Sequence, residues 1–351
     1  MAFTDIDNPK EYFSVNTWTA DDTTPRSFTG FGHQPDLLWV KHRGSASINP
    51  TIIDSVRGGD KMLTSATTAA EDTKSHGEVT AFGSDGITVE DGTSATYPKL
   101  YFNDLDPFGA GGGEYVCWSW KESATAGFDI VSYTGNGTDD TDISHNLSAV
   151  PKMIIIKNRD AADDWQVYHG ANTSSPETDY LVLNERDVTA DAADRWSDEA
   201  PTSSVFTLGD ADEVNTDTEN YIAYCFAEKQ GYSKFGSYIA NADSGGDGPF
   251  VYIGFRPSFV LVQNTSITQG WFMMDNKRDP FNVVGKGLSP HNSNAEQDSS
   301  ANVGCDFLSN GFKVRAVGTG DINHTDGNTY IYMAFAEAPF VNSNGVPCNA
   351  R

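Results

Sequence analysis

Cysteine is scarce in this chain of 351 residues, with only four: Cys117, Cys225, Cys305 and Cys348. No two have the spacing of a zinc site or a redox pair. Cys117 and Cys225 lie inside apolar stretches, where cysteine behaves as a small hydrophobe. No disulfide framework is expected, and the chain reads as one made in a reducing cytosol. Cations are few as well: 23 Lys and Arg against 49 Asp and Glu give a net charge of −26. Such an acidic surface repels phosphate backbones and argues against nucleic-acid binding. No window approaches 18 consecutive apolar residues, so no membrane insertion is expected. Met1-Ala-Phe-Thr-Asp-Ile-Asp7 has neither the basic nor the apolar region of a secretory signal.

Chemical motifs are missing too. The seven histidines form no HExxH, no GxSxG elbow occurs, and the glycine-rich run 109–113 lacks the Lys-Ser/Thr of a phosphate loop. That run is expected to be a hairpin connection. No carboxylate pair stands out among the acids, so no cofactor and no catalytic residue is expected. Long Ala/Leu/Glu/Lys stretches are also absent. The 33 glycines and 12% aromatic residues instead point to an all-β protein with many turns.

What is present is said three times. Tyr115-Val-Cys-Trp-Ser-Trp-Lys-Glu122 returns as Tyr221-Ile-Ala-Tyr-Cys-Phe-Ala-Glu228 and as Tyr330-Ile-Tyr-Met-Ala-Phe-Ala-Glu337. Pro35-Asp-Leu-Leu-Trp-Val-Lys41 returns as Pro151-Lys-Met-Ile-Ile-Ile-Lys157 and Pro257-Ser-Phe-Val-Leu-Val-Gln263. A period of roughly 105 residues is domain-sized. The expected fold is three tandem β-sandwich copies, jelly-roll-like, over 13–122, 128–229 and 235–338. A polar arm (1–12) precedes them and a tail (339–351) follows. Alternate positions of the closing strands are apolar on both faces, which predicts sheets covered on each side. Three copies form either a rod or a pseudo-threefold unit, and a homo-oligomer is expected.

Several residues stand out as binding candidates. Trp165, Trp196 and Trp271 lie outside the closing strands, and Trp196 sits in a polar stretch; an exposed ring there would suit a sugar or a protein, and packing against the copy's own sandwich is the equal alternative. Asp54-Ser-Val-Arg57 matches Asp275-Asn-Lys-Arg278, either as a turn held by a charge-assisted hydrogen bond or as a partner-binding turn. Asp139, Asp140 and Asp142 are the best calcium candidates, although they lack the EF-hand spacing. Glu122, Glu228 and Glu337 are expected at the surface or paired with Lys41 and Lys157. The long polar segments Gly58–Gly77, Ser174–Ser204 and Gly287–Gly304 are the expected contact surface.

The stretches ending at Glu228 and Tyr238, Asp-Asn-Lys-Arg-Asp-Pro-Phe281 and the run to Phe340 resemble a repeat family of marine tailed-bacteriophage virion proteins. The resemblance covers copies two and three and the tail. Copy one departs from it, with Trp-Ser-Trp120 and a longer middle. It implies a tail-fibre or tail-tip component, made in the bacterial host cytoplasm and incorporated into the virion. The expectation is therefore a non-enzymatic structural protein for host attachment by receptor binding. Its partners would be other phage virion proteins and a host-surface glycan or protein. A purely architectural virion protein and a polysaccharide depolymerase stand as alternatives.

Overall fold

The three Tyr-to-Glu stretches contain no proline or glycine and alternate in side-chain size, and each becomes a long strand in the computed structural model, which describes residues 4–109 and 112–348. Each is second from the edge of a six-stranded antiparallel sheet. The first sheet runs Phe13–Thr19, Glu114–Trp120, Leu37–His42, Thr51–Asp54, Lys61–Thr64, Asp72–Thr73. The second runs Phe128–Thr134, Asn220–Ala227, Pro151–Asn158, Gln166–His169, Asp179–Val182, Ala190–Asp191. The third runs Ser233–Ile239, Thr329–Pro339, Phe255–Asn264, Phe272–Asp275, Lys286–Leu288, Gln297–Asp298. Strand order is the same in all three, and we call the three sets units one, two and three. The glycine-rich run 109–113 lies partly outside the described residues.

A smaller antiparallel sheet backs each large one. It comprises Arg26–Thr29, Gly86–Glu90 and Glu78–Gly83 in unit one, and Thr141–Ser144 with Val205–Leu208 in unit two. In unit three it comprises Phe250–Tyr252, Gly311–Val314 and Cys305–Leu308. The protein is all-β, with helix confined to single turns such as Ala193–Trp196. No helix among the described residues is long and apolar enough to cross a membrane.

Strand alternation explains the layering. One face of each large sheet meets its own small sheet. In unit one Leu38, Val40, Tyr115 and Cys117 pack against Phe28, Val79, Ile87 and Val89. The opposite faces of all three large sheets share a single core containing Phe13, Trp118, Trp120, Phe128, Tyr224, Phe226, Phe259 and Phe335. At its centre Trp120, Phe226 and Phe335 meet pairwise, with ring centroids 6.0, 5.7 and 6.2 Å apart. Each such ring contributes about 1.5–3 kcal/mol through burial. No unit covers its own inner face.

Candidate functional site

The repeated Asp-x-x-Arg turns lie at the seams between units and not at the surface. Asp54 and Arg57 have no side-chain exposure, and neither do Asp275 and Arg278. Arg57 Nε donates to Asp54 Oδ2 at 2.5 Å and Arg278 Nε to Asp275 Oδ2 at 2.6 Å. Each carboxylate also receives a donor from the next unit's closing strand. Tyr224 OH donates to Asp54 at 2.7 Å, and Trp118 Nε1 to Asp275 at 3.1 Å. A glutamate completes each group. Glu71 accepts from Arg57 Nη1 and, through both oxygens, from Arg159 of unit two. Glu296 accepts in the same way from Arg278 and from Arg43 of unit one. Burial alone would raise the Glu296 pKa, but Arg43 and Arg278 outweigh it and hold the carboxyl below its usual range. Each seam therefore buries two acids and two guanidinium groups in balance, the condition under which buried charge is tolerated.

The seam between units two and three uses neutral groups at the matching positions. His169 replaces the aspartate, Asn172 the arginine, Thr189 the glutamate and Thr265 the bridging arginine. Its closing-strand neighbour is Met333, which has no hydrogen to donate. His169 Nδ1 accepts from the Ala171 N–H, so Nε2 carries the proton and donates to the Tyr332 carbonyl at 3.1 Å. Burial keeps this ring neutral, with its pKa pulled down to about 4. Thr189 Oγ1 donates to Asn172 at 2.6 Å. The seams thus run cyclically, two onto one, three onto two and one onto three. Trp165 and Trp271 follow the same direction: Trp165 Nε1 donates to Thr64 O and Trp271 Nε1 to Val182 O.

These placements bear out the hydrogen-bonded reading of the Asp-x-x-Arg turns and correct the binding reading. Asp54, Arg57, Asp275, Arg278, Trp165 and Trp271 are internal fasteners. Trp196 is 2% exposed, because its one-turn helix points the ring inward onto Tyr168 while Nε1 donates to Asp179 O. The long polar segments are partly consumed by the seams, to which they supply Glu71, Thr189 and Glu296. Lys41 and Lys157 do not meet the closing glutamates. Lys41 donates to the carbonyls of Ile48 and of Ser293 in unit three, and Lys157 to those of Asn158 and Ala161. Glu228 pairs with Lys234 and Glu337 with Arg256. Burial, and a hydrogen bond that the protonated carboxyl donates to Asp129, push Glu122 up to about 7. Asp139 accepts from Ser197 and Asp142 from Thr207, and no group of three metal-ligating side chains occurs among the described residues.

The surface differs most on unit three. Of the aromatic side chains exposed among the described residues, Phe250, Tyr252, Phe281 and Phe340 lie in unit three or just after it, against Phe108 in unit one. Phe250 and Tyr252 are the outward positions of an edge strand. The same positions carry Ser27 and Thr29 in unit one, and Asp142 and Ser144 in unit two. Tyr252, 64% exposed, and Phe340 line a cleft of about 380 Å³ that also includes Glu228, Gln230, Ser233 and Lys234. The corresponding corner of unit one is lined by Glu11, His33, Gln34, Asp36, Lys121 and Glu122 around a single, half-buried tyrosine ring, Tyr12. Comparing alternate positions of this strand across the copies would have revealed Phe250 and Tyr252 in the sequence. The polar depression between units two and three offers less. There Asn184 and His291 already accept from the backbone N–H groups of Trp165 and Trp271.

No curated protein and no solved structure matches this chain. A family match covers residues 8–339, spanning all three units as one stretch. The chain belongs to the family described as "Domain of unknown function (DUF7483)".

Proposed function

We propose that this protein is a non-enzymatic appendage component of a bacteriophage virion, a fibre-like attachment module whose outward contact surface lies on unit three. The carrying observation is the division of labour among its aromatic and charged residues. The recurring Asp-x-x-Arg turns and the buried Trp118, Trp165 and Trp271 hold the units to one another, and four of the five exposed rings among the described residues lie on unit three or just after it. The resemblance of the closing strands to phage virion proteins supports the setting. Function on loops and edges carried by a rigid body is the common arrangement of binding proteins. Antibody labelling of intact particles tests the reading. Label at the tail tip, with adsorption blocked, is the expected result, and label absent from the particle would refute it.

A purely architectural role is the competing reading. Phe281, 76% exposed beside Arg256 and Leu308 and outside the cleft, favours contact with another virion protein. Label spread over the shell or tube, with adsorption unaffected, would establish that role.

A further inference from the structure

The unit-three cleft has a chemistry of its own, and the inference drawn from it rests on the attachment reading. We propose that this cleft binds a neutral sugar ring of a surface glycan, stacked on Tyr252.

Four observations carry this. The first is the pair of aromatic walls, Tyr252 and Phe340, which with Ile253 and Val341 face the polar Glu228, Gln230, Ser233 and Lys234. A flat apolar face with a hydroxyl at its rim suits the C–H face and hydroxyl edge of a pyranose. The second is charge. Lys234 donates to Glu228 at 2.7 Å, so the cleft offers a donor and an acceptor that neutralise each other. An anionic ligand would meet Glu228 inside a chain of net charge −26. A purely apolar ligand would cover Glu228, Lys234 and Ser233 without replacing their water.

The third observation is size. A volume of about 380 Å³ is at the low end for ligand clefts and admits one or two rings, not a helix of a protein partner. The fourth is preorganisation. Tyr252 is held by its ladder to Gly311, and the segment carrying Phe340 is fixed where Ser343 donates through N and Oγ to Asp7. Binding then orders little that is not already ordered. Phe250 shares the outward face two residues away, so the platform extends along the strand for a further ring.

The test uses the full chain on a broad array of neutral and acidic oligosaccharides, with Tyr252→Ala and Phe108→Ala as variants. Both positions are exposed, so both variants fold, which circular dichroism checks. The expected result is retention of neutral oligosaccharides by the native chain and by Phe108→Ala, with affinity reduced about tenfold or more in Tyr252→Ala. Retention of acidic glycans alone, of none, or equally by Tyr252→Ala would overturn the proposal. Self-association abolished by Tyr252→Ala, without glycan retention, would overturn it in favour of a contact between copies of the chain. The two readings fail separately. Glycan binding by a chain absent from virions removes the appendage and keeps the site, whereas tip labelling without glycan binding does the reverse.

Discussion

Lys41 and Gln263 occupy the same position in their strands and do the same work: each donates to a carbonyl of its own loop and to one of a neighbouring unit. Only Lys41 does so with a charge. Burial lowers its pKa to about 7 from 10.5. Between those values the unfolded chain binds more protons than the folded one, so this group makes stability rise with pH from about 7 to 10.5. Below 7 both states are protonated and the contribution is flat. Lys41→Gln is expected to fold and to flatten that rise, read from denaturation midpoints between pH 7 and 10. An unchanged slope would refute the assignment. At the ionic seams, Asp275→Ala leaves Arg278 and Trp118 Nε1 without their shared acceptor and is expected to destabilise by about 3–5 kcal/mol. Asn172→Ala at the neutral seam is expected to cost about 1 kcal/mol. Equal losses in the two unfolding experiments would contradict the contrast between seams. The Asp-x-x-Arg pairing was legible from its spacing. Its purpose was not, because Tyr224 and Trp118 come from other units and the glutamates lie in the least repeated segments.

Strands were the most legible elements, since alternation of Trp, Phe and Tyr with Cys, Ser and Ala marks a sheet covered on both sides. The identity of the second cover was hidden, because sequence shows that a face is apolar and not what lies against it. Trp196 shows the converse error. Its neighbours Asp194, Arg195, Ser197 and Asp198 are polar, yet one helical turn leaves Asp194 and Asp198 in water, ties Arg195 to Gln166 and Glu213, and sends the ring into the core. The small sheets depend on single turn residues. Gly86 has φ +153°, and a Cβ there would fall 1.9 Å from the Phe28 carbonyl oxygen. Gly86→Ala is expected to part Arg26–Thr29 from Gly86–Glu90 at a cost of about 1–3 kcal/mol. Hydrogen exchange should quicken in those two strands and leave Glu114–Trp120 protected. Uniform quickening would show instead that the two sheets of unit one open together.

For the molecule as a whole, the shared centre implies that folding is collective. A fragment ending at residue 229 leaves Trp120 and Phe226 without Phe335 and Phe259. It is expected to bind a hydrophobic dye and to aggregate, whereas the full chain stays monodisperse. A well-packed monomeric fragment would mean that the inner faces are dispensable. Repetition in the sequence left a rod and a ring equally open, because both use the same strands. The cyclic seams decide between them, through residues that differ from unit to unit. Those differences also distinguish this arrangement from a symmetric trimer, where one codon change alters three places at once and a bulky or charged novelty must be tolerated in triplicate. Here each junction and each outer edge can mutate alone. One joint can lose its ions and one rim can gain rings while the other two keep theirs.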